Sequence, residues 1–205
     1  MTCNLKWTDV VKNLLLCQIA ANRPDVCKRV FNLKKDYLVD LVRQKLFGEV
    51  MAYVYTVEFQ KRGLPHFHML VTPKQNSKIT NPNTVGQFVS AEILDPNVNK
   101  KLQEMVMKHM NHGPCADWCK VKGKCSKRFP KSFQQETTMD KSGYPQYHQR
   151  DTGILYEKKG SFVVDYRNAV PYSPTLSTVL NCHVNVEVVS SINAVMYIYT
   201  STFMK

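Results

Sequence analysis

Two strand-like runs separated by a short polar turn constrain this chain more than any other feature of its sequence. Val50–Phe59 is rich in Val, Tyr and Thr, and residues 65–72 resume a strand-like pattern after the polar stretch 60–64. β-branched and aromatic runs that flank a short turn predict an antiparallel hairpin over residues 50–72. The fold therefore has to include an antiparallel sheet.

The rest of the chain mixes helical and strand patterns without regular alternation. Helical spacing predicts helices over residues 8–19, from Pro24 to near Gly48, over 100–112 and over 190–203. A second small hairpin is predicted across 154–165, a strand over 183–189 and a loop over 73–86. This mixture favours the α+β class, an antiparallel sheet with flanking helices. We expect one domain over residues 1–205, in which residues 109–147 form an irregular insert rich in Cys, His and Lys.

The charge is strongly positive and unevenly placed. The chain has 28 Lys and Arg against 16 Asp and Glu, a formal net charge of +12, which indicates a polyanionic partner. Six cations without an intervening acid lie between positions 120 and 131: Lys120, Lys122, Lys124, Lys127, Arg128 and Lys131. We expect them to contact the phosphates of single-stranded DNA, the alternative being a solvated surface loop. The interleaved aromatic residues predicted to stack on bases are Trp118, Phe129, Phe133, Tyr144 and Tyr147.

Membrane partners are not expected. No apolar run approaches the ~18 residues that a membrane-spanning helix needs.

Glu58, His66 and His68 form the sharpest candidate site. The two histidines lie two positions apart on a predicted strand, so both imidazoles leave the same face while Phe67 points the other way. Glu58 lies near the end of the partner strand, across the turn. Two imidazoles and one carboxylate indicate a divalent metal site with open positions, suited to holding a phosphate oxygen. The alternative is an incidental histidine pair beside a solvated glutamate.

A second cluster combines one histidine with three cysteines. His112, Cys115, Cys119 and Cys125 lie within 14 residues, with His109 as a spare. This set of soft donors predicts a closed tetrahedral Zn²⁺ site, the alternative being unligated thiols in a loop. Seven cysteines, an odd number with three of them beside a histidine, do not indicate a disulfide framework. We therefore expect a reducing compartment, the cytosol or the nucleus.

Several motifs resemble one known family. The segment YVYTVEFQKRGLPHFH, residues 53–68, closely resembles the Rep nuclease segment of Helitron transposons. Further matches follow in family order: HGPC at 112–115, GKCSKRFPK at 123–131, GYP at 143–145, VPY at 170–172 and NVEV at 185–188.

The resemblance implies a fold of the HUH endonuclease type and a specific chemistry. By the resemblance, Glu58, His66 and His68 bind Mg²⁺ or Mn²⁺, and Tyr197 attacks a phosphate of single-stranded DNA, keeps the 5′ end and frees a 3′ hydroxyl. The implied function is nicking and joining of single-stranded DNA during rolling-circle transposition, with nuclear localisation. An intact transposase that carries a helicase is an implied further partner.

The chain also departs from the family pattern. Alignment from residue 185 places Ser201 where the family has a second tyrosine and Thr200 where it has a lysine. Most of the family's first strand, which precedes Thr2, and the helicase that follows the nuclease are expected to be absent, exposing a sheet edge near the metal hairpin. The sequence therefore predicts a truncated, partly degenerate copy. A non-enzymatic DNA-binding remnant and a zinc-dependent protein-interaction module stay open as alternatives.

Overall fold

The computed structural model describes residues 1–60, 63–79, 81–115, 117–140, 145–158 and 162–189, without the side chain of Trp118. These residues fall into two compact units, called here unit 1 (residues 1–78) and unit 2 (residues 79–189). Helices and two-stranded antiparallel sheets confirm the predicted α+β class. The HUH-type arrangement and the single domain with an insert over 109–147 stay predictions. The predicted closing helix, with Tyr197, Thr200 and Ser201, lies outside the described residues.

Unit 1 combines two helices with the predicted hairpin. Its elements are α1 (Thr8–Val11), a 3₁₀ turn (Ala20–Asn22), α2 (Pro24–Arg43), β1 (Val50–Phe59), β2 (Pro65–Pro73) and a second 3₁₀ turn (Gln75–Ser77). Helix α2 begins with a proline in its first turn, where the missing N–H costs no hydrogen bond. Its buried side chains include Phe31 and Val42, and the remaining core of unit 1 includes Trp7, Val10 and Phe67.

The register of the hairpin determines where the candidate site forms. Strands β1 and β2 pair antiparallel, with Glu58 opposite His66 and Thr56 opposite His68. The first residues of the chain pair with the other side of β2: Cys3 N donates to the Pro65 carbonyl at 3.0 Å, and Phe67 N donates to the Met1 carbonyl at 2.8 Å. The prediction of an exposed sheet edge at this end of β2 is therefore wrong, because residues 1–3 satisfy its backbone groups.

The first predicted helix is much shorter than expected. Helix α1 ends at Val11, not near Ile19, and Cys17 has the left-handed φ of 67°. The predicted apolar face is not buried, since Leu15 is 71% exposed and Ile19 is 59% exposed. Helical spacing without a surface to pack against gives a short helix little stability.

Unit 2 is built around one helix. Its helices are α3 (Pro82–Phe88), α4 (Pro96–His109) and α5 (Pro174–Leu180), with 3₁₀ turns at Asp117–Cys119 and Tyr166–Asn168. Its strands form three antiparallel pairs: β3 (Lys120–Val121) with β4 (Lys124–Cys125), β5 (Thr138–Met139) with β6 (Pro145–Gln146), and β7 (Tyr156–Lys158) with β8 (Phe162–Val164). The last pair confirms the predicted hairpin in residues 154–165.

The core of unit 2 forms on one face of α4. The buried side chains are Ile93, Leu102, Met105, Val106, Met110, Val164, Tyr166, Ala169 and Tyr172. Asn99 interrupts the helical backbone of α4, and its side-chain oxygen accepts a hydrogen bond from Leu102 N at 3.0 Å. The regular part of α4 therefore begins at residue 100, as predicted, because Asn99 caps it.

Three other expectations for unit 2 need correction. The predicted loop over 73–86 contains the start of α3, capped by Asn81, whose side chain accepts from Asn83 N at 2.9 Å. Residues 183–189 do not form a strand, and α5 was not predicted. A short apolar run does not distinguish a strand from an irregular buried segment, and Val184 is indeed buried. Among the described residues, no helix combines the length and the apolar composition that a membrane crossing requires.

Candidate metal centres

The hairpin of unit 1 brings together the three residues predicted as metal ligands. One donor atom from each of Glu58, His66 and His68 lies within 4.8 Å of the other two. His68 Nε2 is 3.1 Å from Glu58 Oε1, and the centroids of the two imidazole rings are 4.4 Å apart. The cross-strand register places the carboxylate beside the histidine pair, as the sequence predicts.

This geometry fits a divalent cation. Adjacent ligands of an octahedral Mg²⁺ with bonds of 2.0–2.1 Å are separated by about 3 Å, which matches the 3.1 Å between His68 and Glu58. Both side chains are 36% exposed, so an ion held here keeps positions open toward solvent. A hard carboxylate with two imidazoles is a donor set that Mn²⁺ and Mg²⁺ accept.

Thr2 also contacts this candidate centre, although the sequence analysis did not name it as a site residue. Its hydroxyl oxygen lies 2.7 Å from Nδ1 of His66. A metal-bound imidazole keeps its proton on the other nitrogen, so a His66 that binds an ion through Nε2 would donate Nδ1–H to Thr2. The sequence signal was the family's first strand, which precedes Thr2 and was expected beside the metal hairpin.

Phe67 anchors the histidine pair from the other face of β2. It is 3% exposed, and its ring centroid lies 5.3 Å from that of Tyr55. This confirms the predicted alternation, with Phe67 in the core and the imidazoles on the opposite face.

Three of the four predicted zinc ligands of unit 2 come together, without Cys119. Donor atoms of His112, Cys115 and Cys125 lie within 4.8 Å of one another. His112 Nε2 is 3.0 Å from Cys115 Sγ and 3.2 Å from Cys125 Sγ. The buried Cys119 contacts the Cys115 thiol by a side-chain hydrogen bond. His109 does not join this group: its carbonyl accepts from His183 Nδ1 at 2.9 Å.

Electrostatics differ among the members of this cluster. Hydrogen bonding to Cys119, burial and the nearby Cys125 raise the pKa of Cys115 to about 12. Backbone hydrogen bonds, the largest from Phe129, lower the pKa of Cys125. Burial, with the charges of Lys127 and Lys131, lowers the pKa of His112. This shift favours the neutral imidazole, the form that binds a metal.

The six predicted DNA-contacting cations are all exposed in unit 2. Lys120, Lys122 and Lys124 lie on or between β3 and β4, where Lys122 and Gly123 form the turn with φ of 52° and 76°. Lys120 pairs with Asp117 at 3.3 Å. Within the described ranges, the other five cations form no ion pair with an acid. The segment therefore offers unneutralised positive charge to solvent.

The predicted base-stacking aromatics are mostly used by the fold itself. Phe129 stacks on His112 with ring centroids 4.4 Å apart, and Arg167 lies 4.6 Å from the Phe133 ring centroid. The Tyr147 hydroxyl accepts from Val188 N at 3.0 Å, and burial raises the pKa of Tyr147. The predicted stacking of these three rings on bases stays a prediction. Tyr144 and the Trp118 side chain lie outside the described part of the chain.

Comparison with known families gives one match. The family described as "Helitron helicase-like domain at N-terminus" matches residues 1–71, which include α1, α2, β1 and nearly all of β2. The match covers about a third of the chain and contains the motif of residues 53–68, so it supports the Helitron domain assignment for residues 1–71 and suggests a transposon-related function. No curated protein matches the chain significantly.

Proposed function

We propose that the Helitron domain of this chain nicks and rejoins single-stranded DNA by metal-dependent tyrosine transesterification, in rolling-circle transposition in the nucleus. The observation that carries the proposal is the convergence of Glu58, His66 and His68 on one face of a hairpin, with donor atoms within 4.8 Å. These side chains would hold Mg²⁺ or Mn²⁺. Their exposure leaves room for a phosphodiester.

Each group has a separate task in the proposed reaction. A bound divalent ion would stabilise the charge that develops on the scissile phosphate. Thr2 and Phe67 fix the orientation of the imidazoles. The phenol oxygen of Tyr197, the nucleophile that the family resemblance implies, bonds to phosphorus as the P–O3′ bond breaks, and the 3′ oxygen takes a proton. The phosphotyrosine ester conserves the bond energy, so the reverse reaction rejoins DNA without ATP.

Formation of a covalent adduct tests this proposal. The full chain is incubated with 5′-unlabelled, 3′-labelled single-stranded DNA and Mn²⁺, and SDS-stable protein–DNA adducts are resolved by electrophoresis. We expect a labelled adduct, because the protein retains the 5′ end of the downstream strand. Tyr197→Phe should abolish the adduct, whereas Tyr199→Phe, a matched control two residues away, should leave it.

Two outcomes would overturn the assignment. The first is the absence of an adduct from the wild-type chain with either Mn²⁺ or Mg²⁺ across a set of unrelated DNA sequences. The second is an adduct that survives Tyr197→Phe. DNA unwinding lies outside this chemistry, and we propose that an intact, helicase-bearing transposase supplies it.

A second candidate function is non-catalytic binding of single-stranded DNA by a decayed transposon protein. Six exposed cations in residues 120–131 favour it, because unneutralised cations bind phosphate backbones without metal chemistry. Salt-sensitive binding without any adduct would support this candidate over the nuclease. Adduct formation would support the nuclease.

A further inference from the structure

We propose that His112, Cys115, Cys119 and Cys125 hold one Zn²⁺, and that this ion fixes residues 119–131 as a contact surface for nucleic-acid phosphates. Residues 120–131 are called here the cationic loop. The inference concerns unit 2 alone and goes beyond the nuclease chemistry proposed for unit 1.

The histidine of this centre is anchored independently of any metal. His112 N donates to the Asn168 carbonyl at 2.8 Å, and Asn168 Nδ2 donates to the His112 carbonyl at 3.2 Å. Asn168 is itself held by a capping box with Asp165. One candidate ligand therefore projects from a fixed backbone next to the core of unit 2. The sulfurs of Cys115 and Cys125 lie beside its imidazole.

The sulfur ligands arrive from two separate backbone segments. Cys115 lies three residues after His112, whereas Cys119 and Cys125 flank the β3–β4 turn. Ser126 N donates to the Cys119 carbonyl at 2.9 Å, which closes this turn and brings the two cysteines to one end of it. A metal bound by all four residues would cross-link the turn to the end of α4.

The distances from the His112 nitrogen to the two sulfurs are only slightly shorter than those in a zinc site. With Zn–N bonds of 2.0–2.1 Å and Zn–S bonds of 2.3 Å, tetrahedral nitrogen and sulfur ligands are about 3.5 Å apart. His112 Nε2 is 3.0 Å and 3.2 Å from the two sulfurs. Shifts of a few tenths of an ångström would accommodate an ion on these three residues. Cys119 hydrogen-bonds to Cys115 but lies outside the three-residue group, so its side chain would have to move further to become the fourth ligand.

The backbone around Cys125 already has the environment of a metal thiolate. Backbone groups of Lys127, Arg128 and Phe129 hydrogen-bond to its sulfur. Arg128 adopts a positive φ of 57°, which allows successive N–H groups to turn toward one acceptor. Such N–H···S bonds orient a ligating thiolate and offset its charge.

Apart from the stacking of Phe129 on His112 and the hydrogen bond from Lys131 N to the Arg167 carbonyl, few contacts among the described residues hold the cationic loop in place. Its cations are exposed, and Val121 is 62% exposed, so little apolar area is buried within the loop. A segment that buries so little depends on a cross-link for a defined structure. A centre with three thiolates and one imidazole has a net charge of about −1, which Lys127 and Lys131 offset while most of the positive charge stays available for DNA.

Metal stoichiometry tests the first half of the proposal. Native mass spectrometry of the full chain purified with Zn²⁺ should show one bound zinc, and Co²⁺ substitution should give thiolate-to-cobalt charge-transfer absorption. Cys125→Ser should lose the metal, whereas Cys17→Ser, which removes an exposed cysteine of unit 1, should retain it. If Cys125→Ser does not fold, the cobalt spectrum of the wild-type chain still shows whether thiolates bind the metal. Absence of stoichiometric zinc and of the cobalt band would overturn the proposal.

Binding of a single-stranded oligonucleotide tests the second half. With Mg²⁺ and Mn²⁺ absent, removal of zinc by a chelator should weaken binding at least about tenfold and flatten its salt dependence, because fewer phosphate contacts form together. Glu58→Gln should show the same zinc dependence, which separates this result from failure of the nuclease. Equal affinity and equal salt slope with and without zinc would overturn the role of the ion in shaping the surface.

Discussion

The two candidate metal centres of this chain are built in opposite ways. In unit 1, Glu58, His66 and His68 project from a paired hairpin whose backbone geometry is complete without any ion. In unit 2, His112 leaves a fixed backbone, but its sulfur partners come from turns and two-residue strands. The donor chemistry differs as well, with a carboxylate and imidazoles in one centre and thiolates in the other.

This contrast separates two uses of a metal. A centre with preformed, half-exposed donors leaves coordination positions open for a substrate. A centre of four soft ligands closes around its ion, and the ion then substitutes for a hydrophobic core. We therefore expect metal removal to abolish chemistry at the first centre and to loosen structure at the second.

The largest expected effect is the loss of catalysis in His68→Ala. This change should lower the yield of the Mn²⁺-dependent adduct by about 10³-fold or more, because the divalent ion loses one of its three protein ligands. The melting temperature should change little, because the side chain is 36% exposed. Gel quantification of the adduct, with thermal melts in parallel, checks both expectations. His148→Ala is the matched control, and an unchanged adduct yield in His68→Ala would remove the residue from the site.

Phe67→Ala should have the largest effect on the stability of unit 1. Truncation of a 3% exposed aromatic side chain should lower the free energy of unfolding by about 3–5 kcal/mol. Val57→Ala is the control, because Val57 is directly opposite Phe67 on β1 but is 37% exposed, and its loss should stay below about 1 kcal/mol. Urea unfolding measures both values. If both variants lost the same free energy of unfolding, Phe67 would not be the buried residue between His66 and His68.

Thr2→Val should weaken the metal site of unit 1 without unfolding it. The change removes the partner 2.7 Å from His66 Nδ1, so the affinity for Mn²⁺ should fall about 10–100-fold. Isothermal titration with Mn²⁺ provides the measurement. Thr72→Val, at the far end of β2, should leave the affinity unchanged. If both variants bind Mn²⁺ alike, Thr2 does not position the ligand.

A further expectation is a pH dependence of stability that originates in unit 2. Burial, with the charges of Lys108 and His183, lowers the pKa of His109 to about 4, and His109 Nε2 has no hydrogen-bond partner among the described residues. The unfolded chain binds this proton below about pH 6.5, before the folded chain does. The free energy of unfolding should therefore fall as the pH decreases from about 6.5 to 4.

Urea unfolding across this pH range checks the expectation. His109→Phe should reduce the loss of stability on acidification, whereas His148→Phe should not. An unchanged pH profile in His109→Phe would assign the acid sensitivity to other groups.

Secondary structure was predicted correctly where the periodic apolar residues of a segment are buried against the rest of the fold. The hairpin and the proximity of Glu58, His66 and His68 followed from alternation and turn length, because strand period and register are local properties. The helix over 8–19 failed because spacing alone cannot reveal that Leu15 and Ile19 have no surface to pack against. Helix α5 was missed because its seven residues give too short a pattern, although Pro174 marks its start.

The sequence by itself determined the donor sets, the charge of the cationic loop and the resemblance of residues 1–71 to the Helitron helicase-like domain, because residue type, spacing and local period are properties of the chain itself. Only the tertiary structure decided that Thr2 contacts His66, that Asn168 anchors His112 and that Phe129 stacks on the imidazole of His112. The first two contacts join residues more than 50 positions apart. Such contacts depend on how the core packs, which no local pattern specifies.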